Sequence, residues 1–92
     1  MPRATEPSPD ALIFGNIFRR LRLSRGWTLR TCASHLQITP SYLGVLEAGR
    51  NMPSIHLLLL FGYVFELPAW ELLRTFEETR NAQVAAAAAA ER

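Results

Sequence analysis

The sequence predicts an all-α domain of five helices, the last of them extended, and three observations carry the prediction. Apolar residues recur at helical spacing, as in Phe14, Phe18 and Leu21, and again in Leu43 and Leu46. Ser8, Thr28 and Thr39 each stand where a hydroxyl can cap a helix, and Pro9 and Pro40 follow two of them at the first helical position. Gly26 and Gly49 fall where the first and third of these stretches stop.

Taken in order, Met1 to Ser8 is rich in Pro, Ser and Thr and reads as a flexible arm. Helix one runs from the Ser8-Pro9-Asp10 start to about Ser24, with Phe14, Phe18 and Leu21 as its core stripe and Ile17 beside them. Trp27 reads as a plug at the core edge. Helix two follows the Thr28 cap and puts Cys32, Ala33 and Leu36 on one face. The chain breaks at Gln37-Ile38. Helix three begins at Thr39-Pro40, repeats Leu43 and Leu46, and stops at Gly49. Two helices this short do not survive alone in water, so the rest of the chain is expected to be arranged around them.

Helix four, from Ser54 to about Phe65, is apolar on more than one face. A helix of that kind is buried on several sides. One face is expected to meet helices two and three, another helix five, and the remainder a partner. Helix five starts near Pro68 and is expected to bury Trp70, Leu73 and Phe76. The alanine run from Val84 to Ala90 has high helix propensity and little to bury. It reads as a helical extension that loosens toward Arg92.

Composition narrows the function classes. Ninety-two residues, nearly half of them apolar, make one small core. A single cysteine makes no internal disulfide, no apolar run is long enough to span a bilayer, and the first ten residues lack the apolar stretch of a signal peptide. A cytoplasmic protein without a membrane partner is the expectation. There is no lysine, which reads as coding bias rather than as a functional signal. Charge placement matters more. From Gly15 to Arg50 six arginines (Arg19, Arg20, Arg22, Arg25, Arg30 and Arg50) stand against one acid, Glu47, a balance of +5. From Asn51 onward three arginines stand against five glutamates, a balance of −2. A basic half of this kind is the electrostatic pattern of a nucleic-acid binder. No Gly-rich phosphate loop and no Ser/His/Asp arrangement is present, and Glu77-Glu78 reads as a solvated face. Neither an enzyme nor a cofactor is expected. His35 and His56 lack ligand-spaced neighbours, so no metal site is expected, and Cys32 reads as a small buried hydrophobe.

The stretch Thr28 to Arg50 resembles the helix-turn-helix of phage Cro and lambda-repressor-type regulators, the XRE family. Around it, Phe14-Gly15 to Phe18-Arg19-Arg20-Leu21-Arg22 resembles the family's first helix, and Gly26-Trp27-Thr28 the entry to its second. Leu46-Glu47-Ala48-Gly49-Arg50 with Pro53-Ser54 resembles its closing Leu/Ile-Glu-x-Gly and Pro-Ser. The likeness covers about Leu12 to Phe76, Leu67-Pro68 through Leu72-Leu73 included. It implies a five-helix lambda-repressor-like domain over residues 10–80, with a flexible arm over 1–9 and an alanine-rich extension over 81–92. It also implies an ion pair between Arg22 and Glu47. Four positions depart from the family. Gly44 and Val45 stand where polar or charged contacts are more common. Leu29 stands where Gln is common, and Gln37 stands at the turn position that is usually Gly, at a cost of roughly 1 kcal/mol if the backbone there is left-handed.

The resemblance and the basic half together imply a sequence-specific DNA-binding regulator, a dimeric repressor, with double-stranded DNA as partner. Thr39, Pro40, Ser41, Tyr42 and Val45 are expected to face the bases. Thr28, Arg30, Arg50 and Asn51 are expected to hold phosphates, with Arg19 as a further phosphate contact. From Thr39 to Val45 no Arg, Lys, Asn or Gln is available for two-bond base readout. Two other readings stay open. An antitoxin would bind both its operator and a toxin. A protein-interaction module would keep the fold and use Leu29, Gly44, Val45 and the apolar excess of helix four against a partner. That same excess predicts a homodimer through helices four and five.

Overall fold

The computed structural model describes residues 6–91, which form five α-helices and no strand: α1 (Pro9–Ser24), α2 (Leu29–Leu36), α3 (Pro40–Glu47), α4 (Ile55–Val64) and α5 (Ala69–Ala90). Most of the expected arm lies outside the described residues. Its end is already ordered: Ser8 Oγ accepts from the Ala11 N–H at 3.2 Å, and the Ser8 N–H donates to the Gly49 carbonyl at 3.1 Å. Thr28, Thr39 and Ser54 cap α2, α3 and α4 in the same way, each accepting from the N–H three residues on. α5 has no side-chain cap and starts directly after Pro68.

Left-handed residues set the turns. α1 ends at Gly26 (φ 68°), which lets the Trp27 N–H reach back to the Arg22 carbonyl at 3.2 Å. The α2–α3 turn hangs on Gln37, at φ 58° and ψ 38°. The left-handed backbone that the sequence made conditional is therefore present, on a residue that carries a Cβ. Glu66, between α4 and α5, shares this conformation at φ 57°, which nothing in the sequence pattern indicated.

Aromatic stacking joins α1 to the last two helices. Phe18 and Phe61 stack at 4.0 Å between ring centroids, and Phe14 and Phe76 at 4.3 Å. Cys32, Leu36, Leu43 and Leu46 close the core from α2 and α3. α1 packs on α3 and α5, α2 on α3 and α4, and α4 on α5.

Two expectations about facing are corrected. Leu21 is half-buried rather than central. Trp70 and Leu73 are exposed, and α5 buries Leu72 and Phe76 instead. Those two are one turn apart and define the inward stripe; Trp70, two residues before Leu72, falls on the opposite side of the helix. α4 buries Leu57, Leu58 and Phe61 but leaves Ile55, Leu59 and Tyr63 in solvent, the last 84% exposed. These three recur every four residues and form one uncovered face. No single helix among the described residues is long and apolar enough to cross a membrane.

Gly15 fixes how closely α1 approaches α3. A Cβ there would stand 2.6 Å from the carbonyl oxygens of both Leu46 and Glu47. These are backbone atoms, which cannot swing aside. Gly15→Ala is therefore expected to lower stability by about 1–3 kcal/mol, against the gain an alanine normally brings inside a helix. Denaturant unfolding checks it, and a variant at least as stable as the wild type would mean that the two helices separate freely.

Candidate nucleic-acid interface

α2 and α3 meet through Cys32, Ala33, Leu36, Leu43 and Leu46, all fully buried. Those contacts use one stripe of α3, and its remaining surface stays available. Thr39, Pro40 and Ser41 are exposed, and Tyr42 is 37% exposed. Gly44 and Val45 are half-buried, so Val45 offers less apolar contact than its position in the sequence implied. A Cβ on Gly44 would meet nothing within 4 Å, so the helix backbone is open to close approach there. The Thr39 oxygen is already used, accepting from the Tyr42 N–H at 3.0 Å, and its hydroxyl proton is what it can give to a ligand.

The residues expected on phosphates flank this helix. Arg30 on α2 and Arg50 beyond α3 are exposed, and among the described residues neither has an acidic partner. Arg50 is held at the helix end by the Gly49 turn (φ 73°), in which the Arg50 N–H donates to the Val45 carbonyl at 3.1 Å. Asn51, next to it, is half-buried. Arg19 is exposed on α1, whereas Arg20 lines grooves between α1 and α5. Arg25 reaches Glu66 at 3.8 Å. Thr28 is less available than expected. Its oxygen accepts from the Thr31 N–H, and the Thr28 and Thr31 hydroxyls share a hydrogen bond, both at 3.1 Å. The two together offer one O–H donor. Thr31 is thus a candidate donor that capping logic passed over; the three-residue spacing of the two threonines is the signal that marks it.

Arg22 and Glu47 lock the orientation of α3. Arg22 Nε donates to Glu47 Oε2 at 2.8 Å and Nη2 to Oε1 at 3.0 Å, while Nη1 donates to the Trp27 carbonyl at 2.9 Å. The side chains are only 12% and 8% exposed. The hydrogen bonds to Glu47 raise the guanidinium pKa further above its ordinary value, against the opposing effect of burial. One three-way contact therefore ties α1, the entry to α2 and the end of α3.

The other polar groups serve the frame. Burial, helped by the negative charge of Glu47, pushes the Cys32 thiol up to about 11. The thiol is fully shielded and stays protonated at neutral pH, so it is no nucleophile. Its raised value stabilises the fold at every pH below the unfolded thiol's value of about 8.5, and that contribution is lost as pH rises toward 11. Cys32 is accordingly expected to resist alkylation by iodoacetamide at pH 8 until denaturant unfolds the chain. Labelling at the rate of a free thiol in the native state would contradict the packing. His35 stacks on Trp27 at 4.3 Å, and Trp27 leans on Phe65 at 5.4 Å, so Trp27 is a core-edge residue. His56 is exposed on α4, and no group of three metal-binding side chains exists among the described residues.

A family model described as a helix-turn-helix domain matches residues 13–74. The transcriptional regulator ClgR of Mycobacterium tuberculosis is 34% identical over 56 residues, which is 61% of this chain and 50% of that protein. The chain thus spans about half the length of the curated relatives it matches. Among solved structures, the clp gene regulator ClgR of Corynebacterium glutamicum superposes with a TM-score of 0.76 at 28% identity, covering 95% of this chain and 92% of that one. The restriction-modification controller protein C.AhdI of Aeromonas hydrophila superposes with a TM-score of 0.66, also at 28% identity, covering 71% of this chain and 98% of that one. The resemblance to XRE-type domains and the all-α five-helix fold both stand on these matches.

Proposed function

We propose, from the premise that this chain belongs to the helix-turn-helix domain family, that it regulates transcription by binding duplex DNA with α3 in the major groove. The observation that carries this reading is the surface left around α3. Pro40, Ser41 and Tyr42 are exposed on its first turn, and Arg30 and Arg50, which have no acidic partner among the described residues, precede and follow it in the chain. The names of the relatives, a transcriptional regulator, a gene regulator and a controller protein, support regulation as the outcome of binding. The protein acts by occupying DNA, in the cytoplasm and without catalysis. Arg30, Arg50 and Arg19 bind phosphates, helped by Asn51 and the shared donor of Thr28 and Thr31. Ser41, Tyr42, Thr39, Pro40 and Val45 lie against the bases.

The active form is a homodimer. Ile55, Leu59 and Tyr63 on α4, with Trp70 and Leu73 on α5, are large apolar side chains left in solvent. Several such residues on two adjacent helices are the surface a soluble domain covers with a partner. A two-fold pair would set its recognition helices about 34 Å apart, matching half-sites one DNA turn apart. Sedimentation equilibrium is expected to give a dimer at micromolar concentration, and Tyr63→Glu to give a monomer. A monomeric wild type would remove the dimer. An electrophoretic shift with the DNA upstream of the protein's own reading frame tests the regulatory role directly. A retarded band that unlabelled specific DNA displaces is the expected result; a failure to shift any duplex at low salt would favour a protein partner instead.

A further inference from the structure

We infer that Gln37 is a base-reading residue that supplies the two-bond adenine contact α3 itself lacks; this rests on the reading that α3 enters the major groove. The motive is a mismatch between conformation and residue type. Gln37 sits in the left-handed region at φ 58° and ψ 38°, where glycine meets no steric penalty. The turn gains nothing from the side chain. Its hydrogen bonds, Gln37 N–H to the Ser34 carbonyl at 3.2 Å and Ile38 N–H to the Ala33 carbonyl at 3.0 Å, are main-chain bonds that glycine makes equally well. The side chain is exposed rather than packed in the core. Strain that the fold does not use points to a function at that position.

The chemistry and the place agree. A carboxamide offers one donor and one acceptor side by side, the pair that matches N6 and N7 of adenine in the major groove. Within α3, Pro40–Glu47, no Arg, Lys, Asn or Gln is present. Gln37 stands two residues ahead of the Thr39 cap and shares a surface groove with Tyr42, Ser54 and His56. It therefore lies beside the end of α3 whose side chains are the most exposed. Its amide is uncharged, so it adds specificity without adding to the counterion term.

The test uses the full chain and a pool of duplexes with a randomised centre. Wild type and Gln37→Gly are each taken through selection, and the preferred duplexes are measured against a mixed-sequence competitor. Removing the side chain also removes the strain, so a Tm unchanged or raised excludes misfolding as a cause. The expected result is that wild type selects an A·T pair at one position per half-site. Gln37→Gly should lose roughly 5- to 150-fold of the discrimination there, with mixed-sequence affinity and salt slope unchanged. The same motif and the same ratio in both proteins would overturn the assignment while leaving DNA binding intact. So would a uniform loss on all sequences, the mark of a phosphate contact. A wild type that binds no duplex at low salt would sink the DNA-binding reading and this one with it.

Discussion

Glu47→Gln is expected to lower the stability of the folded chain by about 3–5 kcal/mol. The wild-type carboxylate accepts two charge-assisted bonds from Arg22, at 2.8 and 3.0 Å, in a site where the two side chains are only 12% and 8% exposed. An amide has almost the same shape, so packing survives. The charge does not, and one of the two acceptors becomes a donor pointed at a cation. Arg22 then stays charged, mostly buried and short of a partner; breaking a buried pair costs more than the intact pair contributes. A small domain has only about 5–15 kcal/mol in total, so Tm falls by at least ten degrees, at about 4–8 °C per kcal/mol. The double variant Arg22→Met, Glu47→Leu should recover much of the loss, because no unpaired charge is left behind. A Glu47→Gln Tm within a degree or two of wild type would show that the pair does not hold α1 to α3.

The second large effect lies in DNA binding. With Arg30 and Arg50 on phosphates two subunits make about four contacts, and with Arg19 as well about six. The logarithm of the affinity then falls with the logarithm of salt at a slope of roughly −4 to −5. From 50 to 200 mM salt that is a loss of roughly 250- to 1,000-fold. Arg50→Ala removes one contact per subunit and should flatten the slope by about 2 while weakening all sequences alike. Tyr42→Ala should leave the slope alone and change which sequence is preferred; Val45→Ala should do so less, because Val45 is half-buried. With single hydrogen bonds and apolar contacts along α3, specificity should be moderate and favour steps containing A·T. Fluorescence anisotropy across a salt series reads all of this. A complex that ignores salt would contradict it.

The parts of the structure that were legible in the sequence are those set locally. Ser8, Thr28 and Thr39 cap helices because each hydroxyl acts within its own first turn. Gly26 and Gly49 end helices because a left-handed residue is needed at that spot whatever packs nearby. The Arg22–Glu47 contact spans 25 residues, and only the family resemblance made it visible. Facing was harder. On α5 the apolar pattern fits an inward stripe through Trp70, Leu73 and Phe76 as well as one through Leu72 and Phe76. The choice depends on where α1 lies, which no local rule contains. α4 is apolar on every side, so its sequence holds no facing signal, and only the structure separates Leu57, Leu58 and Phe61 from Ile55, Leu59 and Tyr63. At the interface, residue types showed which side chains can meet DNA. They did not show that the Thr28 hydroxyl proton is spent on Thr31 or that Val45 is partly covered.

The central claim is that α3 lies in the major groove, and Ser41 is the residue from which to measure it. Ser41 is exposed on the first turn of α3, whereas Cys32 is fully buried, so Ser41→Cys would carry the one readily modified thiol. An iron chelate attached there cleaves DNA at whatever lies beside it. The account predicts cuts confined to the major groove at two short clusters about one helical turn, roughly 34 Å, apart. A tagged protein that still binds the same duplex but leaves the groove uncut, or cuts along its whole length without clusters, would contradict it.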